Sequence, residues 1–375
     1  MALPARVLLE FDPSKGDEAH PVRADLSVAV RTGDDLWLAS DETATLERLS
    51  RVGPHHFAAH ERFALHDFLD LPADEDEEVD IEGLGFDGQY LWVAGSHGLK
   101  RKKPKKRLEE AEQIERLADV VRERNRYLLA RIPCVPAKDG RYELKRKADA
   151  PRRVPIGDKR PLTAAHLAFD GKGNELTQEL KDDEHLAPFL GIPGKDNGFD
   201  VEGLAVSDGR LYLGLRGPVL RGFAVVLSME LEEDDDDEHV LRLVRRRVAK
   251  DTAGDRVKRS YAKHFLDLKG MGIRELRTHG KDLLILAGPT MVLDGTIAVF
   301  RWLGGAGAEC DEVVHDDRLV RLFDVPHGAG VDRAEGMTVW DSAGGASQLL
   351  VVYDGPSDRR KAGEAGVYAD LFPLG

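Results

Sequence analysis

The chain has 375 residues, 42% of them hydrophobic, and a formal charge of −14 at neutral pH. That length and apolar content supply a sizeable core, and 38 glycines call for many tight turns, which a helical bundle does not need. The negative balance argues against nucleic acid as the main partner, and no stretch approaches the roughly 20 apolar residues of a membrane span. Cys134 and Cys310 are the only cysteines, so there is no disulfide framework, although one bridge between them stays open. The opening MALPARVLLEFDPS has too short an apolar run for a signal peptide, and a soluble cytoplasmic protein is expected.

In chain order, ARVLLEFD (5–12) is a strand with no local partner. DLSVAVRTGDDLWLASD, from Asp25, is the first of five related units: a short strand, an Asp/Gly turn and an apolar strand. The unit recurs as DIEGLGFDGQYLWVAGS at 80–96 and DVEGLAVSDGRLYLGLR at 200–216. A fourth, LKGMGIRELRTHGKDLLILAGP, starts at Leu268, and a fifth, AEGMTVWDSAGGASQLLVVYDGP, at Ala334.

Between the units lie further strands. FAVVLSMEL (223–231) and HVLRLVRRRV (239–248) complete the third, and TIAVFRW (296–302) and RLVRLFDV (318–325) the fourth. GVYADLFPL (366–374) is the third strand of the last unit, so pairing it with 5–12 would hide two open edges. Helical inserts are expected at about 107–126 and 174–190, and the charged, Pro- and Gly-bearing stretch 145–160 is expected to be a connection. Repetition of four-stranded units predicts an all-β fold, a single-domain β-propeller of about five blades over 1–375.

IEGL (81–84), SHGLKRK (96–102), VEGLAV (201–206), LRGPVLRG (215–222), GIREL (272–276) and LAGP (286–289) resemble the DUF3616 domain family, bacterial proteins of unknown function. That resemblance spans most of the chain and implies no activity. The EGL segments are also similar to those of phytase-like and esterase-like propellers, over the unit-opening segments alone.

Strands that open propeller blades converge on a central channel, so the candidate site gathers there. Glu82, Glu202 and Glu335 occupy the same position of three units, with Asp80 and Asp200 two residues earlier and on the same face. Converging carboxylates repel unless protonated, paired with cations or bound to metal. Asp80, Glu82, Asp200, Glu202 and Glu335 are hard oxygen donors that suit calcium or magnesium. Lys100, Arg216, Arg221, Arg274 and Arg333 recur near the same turns and would bind a phosphoryl or carboxylate group through charge-assisted forks. His97 is the histidine of a recurrent segment and is a candidate general base.

Structural readings stand beside these: acids locking neighbouring blades, Arg–Glu bridges between them, and an exposed loop histidine. No GxSxG, P-loop or dinucleotide fingerprint occurs. The basic run KRKKPKKR (100–107) is expected to be the solvated approach to a helix, and the acidic run 232–238 a hairpin tip. Two functions remain open. One is a divalent-metal-dependent hydrolase of phosphorylated or other anionic small molecules, with Glu82, Glu202, Glu335 and His97 catalytic. The other is a propeller scaffold that binds a ligand or a protein partner without chemistry.

Overall fold

Each of the five repeated units becomes the inner hairpin of an antiparallel sheet. The computed structural model describes residues 4–15, 21–40, 43–75, 77–149, 160–250, 256–291, 293–340 and 346–374, with backbone alone at 247–250 and 256–257. The middle of the connection expected at 145–160 and the turn 341–345 of the fifth unit lie outside the described residues.

The first sheet runs Leu26–Thr32, Asp35–Ser40, Thr45–Gly53 and His56–Ala64. The second runs Ile81–Phe86, Tyr90–Gly95, Leu129–Pro136 and Ala165–Leu167. The third is Asp200–Ser207, Arg210–Gly217, Phe223–Glu233 and Tyr261–Asp267. The fourth is Gly272–His279, Asp282–Gly288, Ile297–Trp302 and Leu319–Val325. The last joins Arg333–Trp340, Gln348–Asp354 and Gly366–Pro373 to Ala5–Glu10, which pairs from Ala5↔Leu371 to Glu10↔Gly366.

The first strands touch in a ring: 26–32 meets 81–86, which meets 200–207, then 272–279, then 333–340, which returns to 26–32. Apolar side chains alternate along these strands and fill the seams between neighbouring sheets. Val28 and Trp37 meet Leu84 and Val93, while Tyr212 and Val226 meet Ile273 and Ile285. Each such side chain, once fully buried, contributes about 1.5–3 kcal/mol. The fold is therefore all-β with propeller-like sheets.

Three expectations are corrected. The fourth strand of the third sheet is Tyr261–Asp267; the segment Val240–Leu243 instead extends the far end of Phe223–Glu233 and pairs with Ala165–Leu167. The helical inserts are shorter than their apolar spacing suggested. One α-helix covers Glu110–Ala118, and the second insert is an α-helix at Glu175–Glu179 followed by 3-10 turns. Cys134 is buried, Cys310 is exposed, and both are free thiols. No helix among the described residues is long and apolar enough to cross a membrane.

Candidate functional site

The repeated Glu marks a β-bulge. In all five inner hairpins the pairing slips by one residue at the same place, so that the strand register skips Ser27, Glu82, Glu202, Arg274 and Glu335. A bulge bends the strand and re-aims the extra side chain, so these five residues share one end of the ring. Arginine, not glutamate, thus fills the slot in the fourth sheet. Its Glu275 stands one residue later, where the second, third and fifth sheets carry Gly83, Gly203 and Gly336. Those glycines permit close approach. A Cβ on Gly203 would lie 2.9 Å from the Leu276 nitrogen, and one on Gly336 2.8 Å from Val28 Cα.

Arg274 joins its two neighbours in the ring. Its Nη1 donates to Glu335 Oε1 at 2.6 Å, and its Nε lies 3.6 Å from Glu202 Oε2. Arg216, itself skipped in the pairing of its strand, bonds to both Asp200 and Glu202. Burial pushes the Glu202 carboxyl up to about 7, against the pull of Arg216 and Arg274. Burial also raises Asp200 and Glu335 above the usual carboxylate range. Ser27 closes the first sheet onto the second, its hydroxyl donating to the Ile81 carbonyl at 2.7 Å.

One cation outside the repeats completes the site. Arg126 is nearly buried on the turn Asn125–Tyr127, with Nη2 at 2.6 Å from Asp80 and 3.2 Å from Glu78, and Nε 3.0 Å from Glu123. Lys100 bonds to Glu78 at 2.6 Å. Arg126 sits in an insert, outside the repeats; the signal the sequence offers is a charged residue directly preceding the apolar run YLLA (127–130). Below the ring, Glu275 and Arg277 form a fully buried pair at 2.7 Å, and Arg277 also donates to the carbonyls of Ala29 and Leu204. It thereby ties three sheets together across the ring.

Above these groups lies a cavity of about 370 Å³. Asp80, Glu82, Asp200, Arg126 and Arg216 form its floor, and the basic run forms its wall: Lys100, Arg101, Lys102, Lys103 and Lys105, joined by Arg116 and Lys195. The run is thus more than a solvated approach to the helix. It is held over the mouth by Lys100–Arg101 pairing with Val120–Val121, by Arg101 Nε to Asp196 at 2.7 Å, and by Lys102 to Asp119.

The remaining sequence candidates fall elsewhere. Arg333 pairs with Asp354 at 3.2 Å, and Arg221 is exposed on a turn at φ 50°, outside the cavity lining. His97 is buried, with Nδ1–H donating to the Gly95 carbonyl at 2.7 Å and Nε2 accepting from Asn174 at 2.7 Å. Both nitrogens are engaged, and burial pushes its pKa down to about 4, which favours the neutral ring; His97 is also absent from the cavity lining. The calcium or magnesium expectation finds no donor set: among the described residues, no group of three or more His, Cys, Asp or Glu side chains is arranged to hold a metal ion. Asp80, Asp200, Glu202 and Glu335 are compensated by guanidinium groups instead.

Comparison with known proteins gives the chain a family and no activity. No curated protein matches it. Among solved structures, glutaminyl cyclase from Myxococcus xanthus is 12% identical with 100% of both chains covered, at a TM-score of 0.36. The aldose sugar dehydrogenase from Streptomyces coelicolor is 12% identical, covering 99% of this chain and 100% of that one, at 0.34. Virginiamycin B lyase from Staphylococcus aureus is 8% identical, covering 98% and 99%, at 0.33. At such scores nothing about this site follows from them. The description "Protein of unknown function (DUF3616)" matches residues 25–370, and the chain belongs to that family.

Proposed function

We propose that the five sheets are the blades of a single-domain propeller, closed by the pairing of Ala5–Glu10 with Gly366–Pro373, and that the cavity at the bulged end of its ring binds a small, phosphorylated polyanion. The observation that carries this reading is the charge of one cavity: nine basic against four acidic side chains line it, in a protein whose net charge is −14. A concave site with low-dielectric walls focuses such a field and raises the local concentration of anions.

The floor and wall divide the work. Asp80, Asp200 and Glu202 hold Arg126 and Arg216 in place, so these guanidinium groups are oriented before any ligand arrives. The wall supplies Lys103 and Lys105, whose ammonium groups make no ion pair among the described residues and can move to meet phosphate oxygens. Binding without chemistry is the reading favoured over hydrolysis, because four of the five acids that would serve a metal are already committed to arginines.

Titration calorimetry with inorganic pyrophosphate tests this. Binding is expected at low salt, weakened by added salt and by the double variant Lys103→Glu, Lys105→Glu. Absence of binding heat at low salt, or affinity indifferent to the charge reversal, overturns it.

A further inference from the structure

A second constellation sits on the outer half of the third sheet, away from the ring. Three neighbouring strands place Ser228, His264 and Glu312 side by side: Ser228 on Phe223–Glu233, His264 on Tyr261–Asp267 and Glu312 on Glu312–Val314, with His264 directly opposite Glu312 in the parallel pairing. Ser228 Oγ lies 2.8 Å from His264 Nε2, and His264 Nδ1 lies 3.2 Å from Glu312 Oε1. The other Glu312 oxygen accepts from Arg318.

Proton positions follow from these partners. Burial raises the Glu312 carboxyl, but its bonds to His264 and Arg318 outweigh that and hold it below the usual range. An ionised carboxylate only accepts, so His264 carries its proton on Nδ1 and turns the Nε2 lone pair to the serine hydroxyl. The polarity runs from Ser O–H to His Nε2, and from His Nδ1–H to Glu. The imidazole is fully buried and packs 5.2 Å from the Trp302 ring, which fixes its plane.

Ser228 also lines a separate cavity of about 360 Å³, together with Arg210, Arg245, Arg246, Lys258, Glu230 and Glu309. The acids are engaged: Glu230 by Arg210 and Arg246, Glu309 by Arg210. Positive charge therefore prevails in the lining of that cavity.

We propose that Ser228 and His264 are a nucleophile and general base, with Glu312 as positioning residue, for acyl transfer from a small carboxylic ester that bears an acidic group. Ser228 Oγ adds to the ester carbonyl carbon as its proton passes to His264 Nε2. The C–O bond to the alcohol then breaks, the leaving oxygen takes that proton, and water attacks the acyl-serine by the same route to release the acid. The cations lining the cavity stabilise the carbonyl oxygen as it becomes anionic. This activity is independent of anion capture at the ring.

The full chain is treated with an alkyl fluorophosphonate and its peptides are mapped by mass spectrometry, with melting curves recorded for every variant. An adduct on Ser228 is expected, absent in Ser228→Ala and formed at least about 100-fold more slowly in His264→Gln. Glu312→Gln should still label, with the midpoint of its pH–rate profile moved down as the imidazolium loses its carboxylate. Should His264→Gln fail to fold, Ser228→Cys is treated with iodoacetamide, and alkylation of the introduced thiol faster than of the exposed Cys310 is expected. A p-nitrophenyl hemisuccinate should be hydrolysed at least about 10-fold faster than the neutral acetate, the preference expected of a site with one net ionic contact. A folded wild type unmodified at Ser228, a wild-type labelling rate in folded His264→Gln, or an introduced thiol in Ser228→Cys that stays inert overturns the proposal.

Discussion

The two ends of the ring of first strands hold cavities of nearly equal size, about 370 Å³ each, with opposite chemistry. Where the strands begin, every one is bulged, and the displaced positions and flanking inserts bring acids, arginines and lysines together. Where the same strands end, their pairing is regular, and the cavity is lined by Val30, Phe86, Val206, Thr278, Thr338 and Val339, with Arg31 and Arg277 as its cations. Volume does not distinguish a binding site here. Charge does distinguish the two ends: the bulges re-aim Glu82 and Arg216 to the lining of the first cavity and gather Glu202, Arg274 and Glu335 beneath it.

Four measurements break or sharpen that contrast. Arg216→Ala strands Asp200 and weakens the hold on Glu202, both buried. Denaturant unfolding should show a loss of about 3–5 kcal/mol, and a loss under about 1 kcal/mol would mean the bulged end is no more interlocked than the other. The next effect is one of pH. With Glu202 raised to about 7 in the fold, its contribution is full below the ordinary value of 4.5 and disappears as pH rises through 7. Between those limits the wild type should lose about 3 kcal/mol relative to Glu202→Gln, seen as a steeper fall of melting temperature with pH. Parallel curves would remove the claim that burial dominates at that carboxyl.

Smaller effects follow at the wall. Reversing Lys103 and Lys105 should cost about 1 kcal/mol of pyrophosphate affinity per charge and flatten its salt dependence, with stability nearly unchanged. Smallest of all, Thr338→Val at the regular end should alter stability by within about 1 kcal/mol and leave pyrophosphate binding untouched. A binding defect there would mean that the two ends communicate through the Glu275–Arg277 pair.

Much of the first mouth is legible in the sequence alone. The register of Asp-x-Glu-Gly-Leu points to one shared position, and Ser27 is already the odd member of it. Period-two alternation carries that information within a single hairpin. What the repeats do not reveal depends on pairing between distant strands or on inserts. Arg126 reaches Asp80 across 46 positions, and Val240–Leu243 competes with Tyr261–Asp267 for the outer edge of the third sheet on equal apolar merit. Ser228, His264 and Glu312 meet only because three strands lie in one register, with 36 and 48 positions between them, so no local motif marks them. The surroundings of His97 are hidden for a related reason: nothing local signals that Asn174 arrives to cap its second nitrogen.

Ala5 pairs with Leu371, which gives the molecule a schedule as well as a shape. At 5–20 residues per second, the ribosome delivers the second strand roughly 20–70 s after the first. Until then Val7 and Leu9 can meet only the first-sheet half of their cluster, Leu36, Leu38, Leu49 and Phe57, and lack Leu350, Val352, Val367 and Leu371. The last sheet therefore waits on a strand made more than 350 residues after its partner. A bystander that captures the waiting strand in that interval would trap the protein one strand short.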